Sequence, residues 1–195
     1  MIRRMLARAY WAVSRWRYRS ESVPTEGAGI LLGVPHTSNW DFVLMLAIAW
    51  REGLQLKFLG KKELFRGPMG PFMRALGGIE VDRANPAGLI DDLTARLASG
   101  ERFHLVVTPE GTRGKADTWK SGFYRLARAT DLPVTLGYVD RSTMTTGLGP
   151  TFHLSGDMSA DMDRIRAFYA GKVGVRPAHT SVPRLAGESA DGDSN

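Results

Sequence analysis

From Gly29 onward the chain alternates short apolar runs with longer stretches of helical spacing. The runs 30–34, 56–59, 78–81, 103–108 and 133–139 read as buried strands, and 151–154 as a weaker one. Between the first two lie nine apolar residues, 42–50, flanked by Asp41 and Arg51. That length suits a buried helix and falls well short of the roughly 18 residues that a membrane-spanning helix needs. A second helix is predicted from Asn85 as cap and Pro86 in the first turn, repeating Leu89, Leu93 and Leu97 and stopping at Gly100. A third is expected over 118–129 with Phe123, Leu126 and Ala127 inward, and a fourth over 159–170 with Met158, Met162 and Ile165 on its apolar face. Strands and helices alternating through connections this short predict an α/β fold: one domain, with a mixed central sheet covered by helices on both faces.

Ahead of this pattern stands a different segment, residues 1–22. At 100° per residue Ile2, Met5, Leu6, Ala9, Val13 and Trp16 fall within an arc of about 100°, with Arg3, Arg4, Arg8, Arg15 and Arg19 opposite. An N-terminal amphipathic helix with a cationic back is expected. Tyr10, Trp11, Trp16 and Tyr18 flank the arc, which suits a helix lying in the headgroup layer of an anionic bilayer. A first helix that packs its arc on the domain and leaves its arginines in water has the same pattern, and both readings stand. Residues 23–175 are expected to form the body of the domain, and 176–195, small and polar toward the end, a tail expected to be disordered.

Composition narrows the functions. With 195 residues, 43% apolar and 24% charged, the chain holds one domain with a core of its own. The formal charge is +6, but six arginines lie in the first twenty residues, and the remaining 20 basic residues match 20 acidic ones. The positive charge therefore belongs to one short arm, which argues against a nucleic-acid groove across the body. The absence of cysteine removes disulfides, thiolate nucleophiles and cysteine metal sites. Arg8 and Arg15 interrupt the apolar stretch that an export signal requires, so a cytoplasmic protein, peripheral on the inner face of the cell membrane, is expected. An arginine-rich, acid-poor start is shared with organelle transit peptides.

Three segments at strand ends carry candidate chemistry. Pro35-His36-Thr37-Ser38-Asn39-Trp40-Asp41 follows the 30–34 strand, at the sheet edge where α/β sites form. On one regular helix His36 and Asp41 would point about 140° apart. With His36 in the turn and Ser38 or Asn39 capping, Asp41 can swing back to the imidazole and leave its other nitrogen as a base. Otherwise His36 is a turn histidine and Asp41 a first-turn carboxylate. Thr108-Pro109-Glu110-Gly111-Thr112-Arg113-Gly114-Lys115 offers backbone amides, a hydroxyl and a guanidinium to an anion, or is a polar turn. It lacks nucleotide P-loop spacing. Gly77 to Arg83 is a strand delivering Arg83 to the same edge, where it would join Arg113 on one oxyanion or sit on a solvated rim. There is no G-x-S-x-G elbow, and His36, His104, His153 and His179 have no metal-ligand spacing.

Taken in order, these segments resemble the PlsC-like glycerolipid acyltransferases. His36 to Asp41 resembles the H-x4-D motif, Gly78 to Arg83 the second motif, Pro109 to Arg113 the third, and Leu132-Pro133-Val134 the start of the fourth. Lys61-Lys62-Glu63-Leu64 is similar to the segment before the second motif, and Trp119 to Gly122 to the one after the third. The resemblance spans about residues 30–140 and implies a glycerol-3-phosphate acyltransferase-like fold. It also implies transfer of a fatty acyl group from an acyl-CoA or acyl-carrier-protein thioester to a hydroxyl of a lysophospholipid such as 1-acyl-glycerol-3-phosphate, a step of phospholipid biosynthesis. His36 would be the base and Asp41 its partner. Arg83, Gly111, Thr112 and Arg113 would hold the acceptor phosphate, Glu110 would shape that site, and neither metal nor cofactor would be needed. Leu136 and Gly137 stand where the fourth motif usually carries a second proline. A phosphate-free acceptor, or a non-catalytic lipid-surface module, are the competing expectations.

Overall fold

The computed structural model describes residues 2–24, 27–81, 86–186 and 188. In chain order these form α1 (Ile2–Val13), β1 (Arg17–Tyr18), β2 (Gly29–Val34), α2 (Trp40–Glu52), β3 (Leu56–Lys61), α3 (Met69–Ala75), β4 (Gly78–Val81), α4 (Pro86–Ala98), β5 (His104–Val107), α5 (Gly122–Thr130), β6 (Val134–Asp140), β7 (Thr145–Phe152) and α6 (Met158–Tyr169). Short 3-10 turns occupy Lys62–Phe65 and Pro177–His179. The strands make a single mixed sheet in the order β1-β7-β6-β2-β5-β3-β4 among the described residues. β2 lies between β6 and β5, parallel to both, and β3 and β4 continue the parallel set. β7 returns antiparallel to β6 and takes β1 in parallel on its far side.

The period-2 side-chain alternation of a strand divides the core into two layers. Ile30, Leu32 and Val34 of β2, Leu105 of β5 and Val134 and Leu136 of β6 face the helices α4, α5 and α6, packing on Leu93, Phe123, Leu126, Met162 and Ile165. Leu31 and Val106 point the other way, onto Ile48 and Ala49 of α2. Both faces of the central strands are covered, which is why they appear in the sequence as largely apolar runs. Expected helices and strands match these elements closely, with four differences.

First, the N-terminal helix ends at Val13 and does not reach residue 22. Residues 17–21 run beside β7 instead, Arg17, Arg19 and Glu21 donating their N–H groups to the carbonyls of Met144, Thr146 and Leu148. Gly147 permits this approach, because a Cβ there would lie 1.7 Å from the Arg19 carbonyl oxygen. Second, β7 begins at Thr145, six residues before the expected 151; Gly147, Gly149 and Pro150 conceal it by breaking the apolar pattern. Third, α5 starts at Gly122, because Trp119 is held in an extended bridge to Leu185. Fourth, the expected disorder does not extend over the start of the tail. Leu185 is buried in the main core, and the Arg166 guanidinium binds Glu188 at 2.7 Å. Residues 187 and 189–195, and the Asn85 cap, lie outside the described residues.

Candidate active site

The parallel strands β2, β5, β3 and β4 bring their carboxyl ends to one edge of the sheet, and two adjacent ones build the site. β2 stops at Val34 and α2 starts at Trp40, so His36 stands in the intervening turn and not on the helix. That resolves the spacing problem. Asp41, in the first turn of α2, reaches backward. Its Oδ2 accepts the N–H groups of Thr37 and Ser38, both at 2.7 Å, and lies 3.5 Å from His36 Nδ1. The Ser38 hydroxyl accepts from Trp40 N at 3.2 Å, while Asn39 makes no side-chain cap. Two short amide bonds fix the carboxylate, and the carboxylate in turn faces His36 Nδ1.

Glu110, just past the end of β5, closes the turn from beneath. Its Oε1 accepts the His36 N–H at 2.9 Å. The residue is 4% exposed, and burial, reinforced by the nearby charge of Asp41, pushes its carboxyl up to about 7. Asp41 Oδ1 and Glu110 Oε2 are both buried without a hydrogen-bond partner among the described residues. The loop that follows turns at Gly111, which has φ +68° and donates its N–H to Thr108 O at 3.1 Å. Thr112 Oγ1 accepts from Gly114 N at 3.1 Å, and Arg113 is exposed. The stem of Lys120 lies along Gly111, where an added Cβ would sit 3.4 Å from its Cγ. Arg83, and with it the expected convergence with Arg113, lies outside the described residues.

His36, Asp41 and Arg113 share the lining of a cavity of about 340 Å³ that continues between α2 and the sheet. Its walls are apolar: Leu31, Met45, Ile48, Ala49, Leu56 and Leu148 among others. From Asp41 to Ala49 it follows α2 for about 12 Å, at 1.5 Å per residue. No motif marked this cavity. Its residues look in the sequence like ordinary core, since a side chain that lines an internal tunnel obeys the same apolar rule as one that fills it. Thr37 also escaped notice, although it is fully buried beside His36.

The molecule is thus an α/β protein with an imidazole and a carboxylate facing each other on the lining of an apolar cavity, and a glycine-bearing cationic loop on the same lining. The comparison with known families is specific. The Acyltransferase family model matches residues 15–136, and the chain belongs to that family; it is an acyltransferase. The match includes His36, Asp41, Glu110 and Arg113 and ends before α6 and the tail. Among solved structures, the chain is similar to the crystal structure of the 1-acyl-sn-glycerophosphate (LPA) acyltransferase, PlsC, from Thermotoga maritima. The TM-score is 0.56 at 18% identity, covering 82% of this chain and 72% of that one, a likeness of fold. No curated protein matches the chain significantly.

Proposed function

We propose that this enzyme transfers a fatty acyl group from an acyl-CoA or acyl-carrier-protein thioester to the hydroxyl of a lysophospholipid such as 1-acyl-glycerol-3-phosphate. The observation that carries the reading is the position of the His36–Asp41 pair at the mouth of the apolar cavity, with Arg113 on the same rim. The acyl chain lies under α2, and the acceptor's anionic head is held by Arg113 and the amides of the 111–114 loop, with Arg83 as a second cation. His36 Nε2 takes the acceptor's hydroxyl proton as its oxygen attacks the thioester carbonyl. Asp41 stabilises the imidazolium that forms. When the tetrahedral intermediate collapses, the carbon–sulfur bond breaks and His36 returns the proton to the departing thiolate. The thioester is already activated, so the chemistry needs neither a covalent enzyme intermediate nor a cofactor.

An anionic bilayer is the proposed source of the acceptor. No helix among the described residues is long and apolar enough to cross a membrane. α1 packs on α2 through Ala7, which is buried, and through Trp11, whose Nε1 donates to Ala47 O at 3.3 Å. The apolar arc of α1 lies about 180° around the helix from that packing face. Ile2, Met5, Leu6 and Val13 are 74%, 62%, 52% and 84% exposed. This is the opposite of a helix that packs its arc on the domain, and it supports docking on a bilayer surface. Arg3 reaches the carbonyl of Ala75 at the end of α3, where Met69 and Phe72 are also exposed, and the half-exposed Leu64 lines the cavity itself. The lipid-facing surface thus borders the chain-binding cavity.

The test is product identification by mass spectrometry with palmitoyl-CoA and a panel of acceptors. An acylated phosphate-bearing product, lost in His36→Ala, is expected. Arg113→Ala should raise the acceptor KM about tenfold or more through loss of a charge-assisted contact. An unchanged KM would instead favour an acceptor without phosphate, and the absence of any thioester turnover would favour a lipid-binding module.

A further inference from the structure

Beyond the region that matches the family, the chain returns to the site. After α6, Val173 accepts the Arg141 N–H at 2.8 Å, and Gly174 presses directly onto Thr37. A Cβ on Gly174 would lie 2.5 Å from both Thr37 Oγ1 and Cγ2. Two residues later Arg176 donates its backbone N–H to Thr37 Oγ1 at 3.0 Å. The 3-10 turn Pro177–His179 then carries the chain across to the anion loop, where His179 Nδ1 lies 2.8 Å from the backbone carbonyl of Arg113. A carbonyl oxygen can only accept, so Nδ1 carries the proton in this bond. The turn is braced internally by Gly174 N–H donating to Thr180 Oγ1 at 3.0 Å, and further along by Arg184 O, which accepts from Trp119 N at 2.6 Å.

One short segment is therefore bonded at one end to the neighbour of His36 and at the other to the backbone of Arg113. The loop's other restraints are local or lie at its start: Gly111 N–H on Thr108 O, Gly114 N–H on Thr112 Oγ1, and Glu110 on the His36 amide. Gly111 and Gly114 lower its stiffness, residues 111–113 are exposed, and among the described residues the Arg113 guanidinium has no carboxylate within ion-pair distance. We propose that residues 174–179 are a clamp that sets the separation between the base and the anion-binding loop, with His179 as the positioning residue that holds Arg113 on the acceptor head. The clamp rests on the proposed role of Arg113. It makes His179 a determinant of which acceptors fit, because the separation it fixes must match the distance from an acceptor's hydroxyl to its anionic group.

The experiment uses the full chain with palmitoyl-CoA and 1-oleoyl-glycerol-3-phosphate. His179→Ala is expected to raise the acceptor KM about tenfold with the donor KM unchanged. His179→Asn, whose amide can place an N–H where Nδ1 stands, should restore most of the loss. Because His179 acts through Arg113, the double variant with Arg113→Ala should be no worse than Arg113→Ala alone. A wild-type acceptor KM in His179→Ala, multiplicative losses in the double variant, or no rescue by asparagine would each overturn the clamp. Amide hydrogen exchange over residues 110–115 separates this outcome from failure of the phosphate reading, since it needs no substrate. Faster exchange in His179→Ala supports the clamp even if Arg113 proves to bind no phosphate, and unchanged exchange refutes it.

Discussion

Filling the cavity at the end away from Asp41 should shorten the acyl chain that the enzyme accepts without touching its chemistry. Ala49 is the position to fill. It lines the cavity from the third turn of α2, about 12 Å along the helix from Asp41. An extended acyl chain advances about 1.3 Å per carbon, so roughly nine or ten carbons separate the reacting carbonyl from this wall. Ala49→Leu adds three carbons at a position that lines the cavity, where they displace a similar length of acyl chain. Each methylene kept out of its apolar site forfeits about 0.8 kcal/mol, and three forfeit about 2.5 kcal/mol. That corresponds to a fall of about 60-fold in kcat/KM for palmitoyl-CoA. Octanoyl-CoA, whose chain ends short of Ala49, should react within about twofold of the parent rate, the margin left for imperfect repacking. Thiol release measured over donors of eight to eighteen carbons gives the whole profile. An equal loss with every donor, or an undiminished rate with palmitoyl-CoA, would refute the placement of the chain beneath α2.

Other consequences follow from the same geometry. His36→Ala should lower thioester turnover by a factor on the order of 10²–10⁴ while the circular dichroism spectrum stays that of the parent, and a smaller loss would remove His36 as the base. Glu110 keeps a proton in the folded protein up to about pH 7, which the unfolded chain releases near its ordinary carboxylate range. Its contribution to stability is therefore complete below about pH 4.5 and shrinks as pH rises toward 7, by up to about 1.4 kcal/mol per unit. Denaturant titrations across that window should show a shallower decline for Glu110→Gln than for the parent, and parallel curves would contradict the assignment. Replacing Ile2 and Leu6 with serine should weaken sedimentation with phosphatidylglycerol vesicles about 100-fold, since two exposed apolar side chains are lost from the docking face. Unaltered vesicle binding would mean that the arc does not enter the bilayer.

Elements buried on both faces were legible in the sequence, and those completed by backbone contacts were not. β2, β5 and β6 read clearly because both of their faces are covered, which makes most of their positions apolar. β7 was visible only at its end, because Gly147 and Gly149 are small for the sake of neighbours: the Arg19 carbonyl approaches one and the Phe168 ring rests on the other. The hydrophobic arc of α1 was evident, but not its direction, because the packing face is a stripe built around Ala7 and Trp11 that periodicity does not rank above the arc. At the site, the spacing of His36 and Asp41 was readable as a turn followed by a residue of the first helical turn. The clamp left no such trace, since its bonds end on the Arg176 N–H and the Arg113 carbonyl, groups that every residue possesses.

The proposed base, the apolar cavity and the proposed lipid-facing helix are coupled through one element. α2 supplies Asp41 from its first turn, roofs the cavity with Met45, Ile48 and Ala49, and carries α1 on its outer side through Ala47. A displacement of its amino-terminal end would move the orienting carboxylate and open the mouth of the cavity in the same motion. Two stitches oppose that displacement: Asp41 on the amides of Thr37 and Ser38, and Glu110 on the amide of His36. The second crosses from β5 to the turn after β2, adjacent parallel strands about 4.8 Å apart, so the sheet itself anchors the base. Forces applied to α1 at a bilayer therefore reach the cavity roof before they reach the imidazole. Acyl-chain selection should respond to membrane docking more than the proton transfer does, and comparing palmitoyl and octanoyl donors with and without vesicles would measure that difference.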